Sequence, residues 1–402
     1  MRPRRYVLVT HSHYPDDPRA VKHATALREA GYEAVVIALR RAGEAKRETL
    51  AGVEVRRVSL EHKRGGGARY LFEYAAIFAL ASWELAALSA SRRAFAVQIN
   101  NPPDFLIFAG LVPKLFGAKL VLDLHEPMPE LLASIRQQSP DAQSVRLLKW
   151  IERLSTRFAD AVITVSEICR KRFVERGTPA EKITVVKNVS DLRLFDPARF
   201  ARGEDLAGGG SNAGARLIYH GTLVNRYGVD LAVRALARVR EQLPHASLAI
   251  YGRGETLEEL TRLARELGVE DRVSFGGQVD LPSIPEKIAH ADIGIVPNRQ
   301  DIFMDLVLPT KLFEYIAMEK PVVVAATAAV LDYFGTEDLY LFEPGDDAGL
   351  ARAILDVCAD PDRARVRARR LRERCARETW AVEKMKLLRL FESLHGDGER
   401  AR

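Results

Sequence analysis

Cysteine is scarce in this chain: Cys169, Cys358 and Cys375 are the only three in 402 residues, and none sits at metal-ligand or redox-motif spacing. A reducing cytoplasm is the compartment that fits. The start, MRPRRYVLVT, is basic, but its apolar run is too short for the core of a signal peptide. Long hydrophobic runs are also missing, with one exception. YLFEYAAIFALASWELAALSA, from Tyr70 to Ala90, could span a bilayer by length, yet it carries Glu73 and Glu84, each costly at membrane depth. The expectation is a helix buried between layers or lying on a membrane surface. No GxGxxG follows a strand with an acid about twenty residues on, which argues against a dinucleotide-dependent dehydrogenase.

What is present is ordinary globular composition, 47% apolar and 28% charged, which argues against disorder and against an integral membrane protein. A chain of 402 residues is too long for one typical core, so two domains are expected. The net charge of +6 is unevenly shared: residues 1–190 hold 30 Lys and Arg against 20 Asp and Glu, and residues 191–402 hold 30 against 34. A basic first half suits an anionic partner such as a membrane surface, and it equally suits plain solubility.

Strand and helix alternate throughout. RYVLVT, EAVVIAL, AVQIN, KLVLDLH, DAVITVS and ITVVKN read as strands, with helices such as PRAVKHATALREAG (closed by Gly31) and SVRLLKWIERLSTRFA between them. Short continuous apolar runs mark strands covered on both faces. The Arg- and Lys-rich RRAGEAKRETLAGVEVRRVSLEHKRGGGAR reads as an exposed loop region. A Gly- and Ala-rich stretch over 191–214 reads as a linker. The rotation then restarts with RLIYHG, ASLAIYG, VSFGG, DIGIVP and LYLFEP. The expected fold class is α/β: two doubly wound, Rossmann-like domains, 1–190 and 215–378, facing across a cleft. A helical tail, 379–402, is expected to reach back to the first domain.

LPTKLFEYIAMEKPVVVA, from Leu308 to Ala325, is an odd core segment, because a short helix carries Lys311 and Glu314 before a strand of Val and Ala. With Thr310 as N-cap, Lys311 falls in the first turn, where unpaired amides favour an anion. Glu314 shares its face one turn on, while Leu312, Phe313, Ile316 and Ala317 fill the other. A diphosphate at the helix tip would bring a ribose near Glu314, whose carboxylate accepts from both hydroxyls of a diol. A plain surface Lys–Glu pair is the bland alternative. In YHGTLVNRYGVDL, Gly221 and Thr222 follow a strand, Gly228 opens a helix, and Arg226 between them offers a guanidinium to phosphate. Gly252 and Gly254 end the next strand, where missing side chains would admit a flat base.

These segments, with LAIYGRGETLEELTRLARELGVEDRVSFGGQV, IAHADIGIVPN and, in the first half, PPDFL, LVLDLHEPMPELL, VITVSE and ITVVKNVSD, resemble in order and spacing the retaining family 4 glycosyltransferases of GT-B fold. The resemblance covers nearly the whole chain. It implies that Glu314 is the ribose-gripping second glutamate of a paired-glutamate motif and that Lys311 and Arg226 take the diphosphate. The first glutamate of that motif is replaced by Leu306; Asp305, Asp301 or backbone amides from Val307 to Pro309 are the candidate substitutes for holding the sugar. His125, at the end of a first-domain strand, would contact the donor sugar, a capped turn histidine being the alternative. Glu126 either binds acceptor or begins a helix.

The loop HSHYPDDPRAVKHA lacks the glycine-rich turn of many relatives. Its His11, His13, Asp16 and Asp17 could be read as a metal site or as solvated loop groups, and the resemblance implies no metal and no cofactor. Asp16 and Arg19 are candidate acceptor contacts. The expected reaction transfers a sugar from a UDP- or GDP-linked donor to a glycan or lipid-linked acceptor, in the cytoplasm or at the inner membrane face, with no nucleic-acid partner. A nucleotide-sugar epimerase on the same frame and a non-catalytic nucleotide-binding protein are the alternatives.

Overall fold

The structure, a computed structural model, describes residues 4–60, 67–89, 95–200 and 214–400. It divides into two units, Met1–Asn188 with Glu383–Arg402, and Val189–Val382.

The first unit is built on eight strands: β1 (Arg5–His13), β2 (Glu33–Leu39), β3 (Arg47–Leu50), β4 (Val53–Val58), β5 (Phe95–Asn100), β6 (Lys119–Leu124), β7 (Ala161–Thr164) and β8 (Ile183–Val185). Their order is β3-β4-β2-β1-β5-β6-β7-β8, parallel except for the β3–β4 hairpin. The apolar runs are central strands: Tyr6 to Val9 and Val35 to Ala38 have no solvent access. Val7 lies opposite Val35 on one side and Val97 on the other. Each such side chain contributes roughly 1.5–3 kcal/mol by leaving water. Helices α1 (Pro18–Glu29), α2 (Gly67–Ser89), α3 (Leu111–Leu115), α4 (Met128–Arg136), α5 (Gln143–Phe158) and α6 (Glu167–Glu175) connect them.

One expectation changes here. The Arg-rich stretch expected as loop holds the β3–β4 hairpin, turned at Ala51 and Gly52 with φ of +48° and +78°. Arg57 on β4 is buried because Glu44, Glu48 and the Tyr14 carbonyl surround its guanidinium. The Tyr70–Ala90 segment, as far as Ser89, lies in α2, which buries Ile77, Ala81 and Leu85 and turns Phe72 and Trp83 outward, and Ala90 lies outside the described residues. Glu73 is buried against Arg69, and Glu84 meets Arg56 at 3.2 Å. Among the described residues, no helix is long and apolar enough to cross a membrane. Of the expected linker, residues 201–213 lie outside the described residues.

The second unit has six parallel strands, β9 (Arg216–His220), β10 (Ser247–Tyr251), β11 (Val273–Gly277), β12 (Ile293–Val296), β13 (Val322–Ala325) and β14 (Tyr340–Phe342), in the order β11-β10-β9-β12-β13-β14. Its helices are α7 (Val229–Val239), α8 (Leu257–Glu266), α9 (Ile284–Ala289), α10 (Thr310–Ala317), α11 (Ala328–Phe334), α12 (Asp347–Ala359) and α13 (Pro361–Cys375). Leu217, Tyr219, Leu236, Ile250, Ile293, Val323 and Ile354 are part of one core. The strand order reverses between β9 and β12, and ligands of open parallel sheets bind at the carboxyl ends of strands beside such a switch. The last helix, α14 (Trp380–Arg400), enters the first unit: Phe391 packs edge-on to Tyr6 at 5.2 Å, and Glu383 accepts from the Lys187 amide at 2.9 Å.

Candidate functional site

In the second unit the carboxyl end of β9 and the start of α10 meet. Pro309, not Thr310, occupies the N-cap of α10; Thr310 is its first helical residue and is exposed. Proline's fixed φ suits the entry to a helix, but it has no side-chain acceptor, so the first-turn amides of α10 carry no side-chain cap. Leu312, Phe313, Ile316 and Ala317 are buried as expected, but Lys311 is buried with them, only 7% exposed.

The Lys311 ammonium stands over the faces of Tyr219 and Tyr227, 4.6 and 4.9 Å from the ring centres, and 3.5 Å from the Tyr219 hydroxyl. Burial pulls its pKa down to about 8, with the Glu314 charge opposing. Gly221 allows this approach: a Cβ there would come within 3.2 Å of Lys311 Cε and Nζ, on a backbone with φ of +129°. Glu314 is largely buried, its Oε2 lying 3.1 Å from His220 Nε2. Burial, and then the nearby Lys311 charge, hold His220 neutral, with a pKa near 3.

The other donor-side residues are placed around this centre or explained by packing. Arg226 sits on a short turn of 3-10 helix with Tyr227, its guanidinium 5.6 Å over Phe303. Thr222 is exposed, and its carbonyl accepts from the Tyr219 hydroxyl at 2.8 Å. At Gly252 and Gly254 the space a side chain would take is filled by backbone. A Cβ at Gly252 would lie 1.8 Å from the Gly221 carbonyl oxygen, and one at Gly254 would lie 2.0 Å from that of Leu223. They are glycine because two backbones touch. Neither proposed substitute for the missing glutamate is idle: Asp305 accepts from the Ala328 amide at 3.2 Å, and Asp301 from those of Phe303 and Met304 at 2.8 and 2.7 Å. Leu306 is buried.

In the first unit, His125 follows β6 in a turn organised by Asn101. The Asn101 side-chain oxygen accepts from the amides of His125 and Glu126 at 3.1 and 3.2 Å, and its amide donates to Asp104 and to the Glu126 carbonyl at 2.9 and 2.6 Å. His125 Nδ1 is buried without a hydrogen-bond partner, so the ring has unmet capacity. Burial pushes the Asp104 pKa up to about 6, against the Asn101 hydrogen bond and the nearby Arg176 and His125.

The acceptor candidates fare differently. Arg19 is buried and grips Asp123 with two bonds of 2.8 Å while donating to the Val186 carbonyl, so it is an internal anchor. Burial raises the Asp123 pKa, but Arg19 more than offsets it and holds the carboxyl below its usual range. Asp16 pairs with Arg41 on the surface, and Asp17 caps α1. His13 faces the Leu39 carbonyl at 3.2 Å, and His11 packs edge-on to Tyr74. Among the described residues, no group of three or more His, Cys, Asp or Glu is arranged to hold a metal.

Sequence reasoning missed His220, Tyr219 and Tyr227, and also Asn298 and Thr327, which follow β12 and β13. Asn298 Oδ1 and Thr327 Oγ1 are buried polar atoms without partners. The available signal was a polar residue directly after an apolar strand, in IGIVPN and VVVAAT.

Comparison with known proteins bears on this arrangement. Residues 17–189 match the family model described as glycosyl transferase 4-like domain, and residues 214–360 the one described as glycosyl transferases group 1. A GDP-mannose-dependent alpha-(1-6)-phosphatidylinositol monomannoside mannosyltransferase of Mycolicibacterium smegmatis is 32% identical over 213 residues, 51% of this chain and 55% of its own length. Glycogen synthase of Mycobacterium tuberculosis is 29% identical over 226 residues, 56% of this chain and 51% of its own. The matches therefore span about half the length of these curated relatives. Among solved structures, sucrose-phosphate synthase from Thermosynechococcus elongatus has a TM-score of 0.76 at 19% identity, covering 98% of this chain and 100% of that one. Anabaena HepE in complex with UDP has a TM-score of 0.70 at 17% identity, covering 97% and 100%. The shared fold is GT-B, with two Rossmann-like parallel-sheet domains.

Proposed function

The chain belongs to the group 1 glycosyl transferases, and on that premise we propose that it moves a hexose from a nucleoside diphosphate to an acceptor hydroxyl, with retention, in polysaccharide or glycolipid synthesis. The observation that carries this reading is the meeting of Lys311, Glu314 and Gly221 at the carboxyl end of β9, beside the strand-order switch. Glu314 receives the ribose hydroxyls; Lys311, Arg226 and the amides opening α10 receive the diphosphate. As the sugar–oxygen bond breaks, the sugar gains oxocarbenium character and negative charge grows on the leaving diphosphate. A fixed ammonium in a dry setting stabilises that charge without reorganisation. Lys311 is therefore worth more in the transition state than in the bound substrate, and its removal lowers turnover more than nucleotide affinity. No step needs a metal, so EDTA leaves the rate unchanged.

Incubation with UDP-, GDP- and ADP-sugars, with and without glycan and lipid-linked acceptors, tests the reading. The names of the relatives and structural neighbours make GDP-mannose and UDP-glucose the first donors to try. Transfer that depends on acceptor supports it. Epimerisation of the donor without acceptor would make the protein an epimerase, and binding without turnover a silent nucleotide binder.

Contact with an anionic membrane is part of the proposal for the acceptor side. Its support is three helices, α2, α3 and α5, whose outer faces carry Phe72, Trp83, Leu115, Leu147, Trp150 and Leu154, all exposed. On α5 these apolar residues alternate with Arg146, Lys149, Arg153 and Arg157, the pattern of a helix lying in a lipid headgroup layer. Co-sedimentation with vesicles containing phosphatidylglycerol at low salt is expected, and its absence removes this part of the reading.

A further inference from the structure

We propose that His220 is the positioning residue for Glu314, setting the carboxylate at the angle that receives the donor ribose. This rests on the reading of Glu314 given above and concerns a residue outside the paired-glutamate motif. His220 is the last residue of β9, and its ring is fixed on one side by Tyr315, edge-on at 5.2 Å and 82°. Tyr315 is in turn anchored by its hydroxyl, which donates to the Ile218 carbonyl at 3.1 Å. Beside that ring, Glu314 Oε2 lies 3.1 Å from Nε2, within reach of a hydrogen bond that the ligand-free chain does not complete. Nε2 is buried and completes no hydrogen bond in the ligand-free chain, so the carboxylate oxygen beside it is the acceptor it is placed to serve.

The role suits a neutral ring: Lys311 already places a positive charge near Glu314, and an uncharged donor adds a hydrogen bond without another charge. Burial and the Lys311 charge keep His220 unprotonated at working pH, so a neutral ring N–H is in place to donate once the carboxylate turns to it on ligand binding. Glu314 has about four lone-pair directions, so a donor from the histidine is compatible with acceptance from ribose hydroxyls.

The test is calorimetric titration of the full chain with UDP, 2′-deoxy-UDP, GDP and 2′-deoxy-GDP. The wild type is expected to prefer the ribose form of its nucleotide by roughly tenfold or more, the scale of one charge-assisted hydrogen bond. His220→Phe keeps the ring and removes the donor; it should lose most of that preference by weakening the ribose form alone. His220→Gln, whose amide nitrogen reaches the place of Nε2, should keep it, whereas the shorter His220→Asn should not. If His220→Phe does not fold, the Gln and Asn pair decides the matter. A wild-type ribose preference in the Phe or Asn variant overturns the proposal, because a merely structural role would not separate ribose from deoxyribose. Glu314→Gln is the reference: if it leaves the preference intact, or if the wild type has none, the ribose reading of Glu314 falls and this proposal falls with it.

Discussion

Replacing Lys311 with methionine keeps the length of the side chain and removes a charge that the fold holds at a cost. Burial lowers the lysine pKa from 10.5 to about 8. At about 1.4 kcal/mol per pH unit, the charged form is penalised by roughly 3 kcal/mol in the folded state. The faces of Tyr219 and Tyr227 return part of that, on the order of 1 kcal/mol or more. Lys311→Met should therefore stabilise the ligand-free protein by about 1–3 kcal/mol at pH 7. The sign of the pH dependence follows from the direction of the shift. Below about pH 8 both folded and unfolded chains carry the proton, and the penalty is complete. Between there and 10.5 the folded chain gives up its proton first, so wild-type stability climbs relative to the variant. By pH 9.5 the advantage of the methionine should shrink to about 1.4 kcal/mol at most. Paired urea melts at pH 7 and pH 9.5, followed by circular dichroism, measure the difference while other titrating groups cancel. A variant less stable than wild type at pH 7, or a difference that ignores pH, would refute the reasoning.

Other consequences are more local. Gly252→Ala drives a Cβ into the Gly221 carbonyl and should cost about 3 kcal/mol of stability, read as a lower melting temperature. Arg19→Met leaves Asp123 buried without its partner and should cost about 3–5 kcal/mol in urea unfolding. Asn101→Ala orphans the amides of His125 and Glu126; it should lower kcat sharply and leave nucleotide affinity, measured by titration, unchanged. Exchanging Leu147 and Trp150 for serine should weaken vesicle binding by roughly tenfold, with donor hydrolysis in solution unaffected.

The strands were legible because continuous apolar runs such as VVIA and LVLDL have one stable home, a sheet covered on both faces. The β3–β4 hairpin was hidden because Arg56 and Arg57 disguise the alternation, and only partners elsewhere in the chain make Arg57 a buried residue. Lys311 and Glu314 stood out at helical spacing, and α10 carries both. That Lys311 is buried depends on Tyr219, 92 positions away, and the His220–Glu314 contact spans 94 positions, distances no local pattern encodes. Arg19 misled for the same reason, since its use on α1 is fixed by Asp123 on strand β6. Glycines at strand ends look alike in sequence whether they admit a ligand or another backbone; Gly252 and Gly254 are the second kind.

The central claim is that Lys311 and its surroundings hold the diphosphate of a nucleotide donor. Calorimetric titration of UDP, GDP and ADP into wild type and Lys311→Met at pH 7 measures this directly. The account predicts that at least one nucleotide binds the wild type and that the same nucleotide binds the variant about tenfold or more weakly, although the variant is the more stable protein. Equal affinity for both proteins, or no binding of any of the three to the wild type, would contradict it.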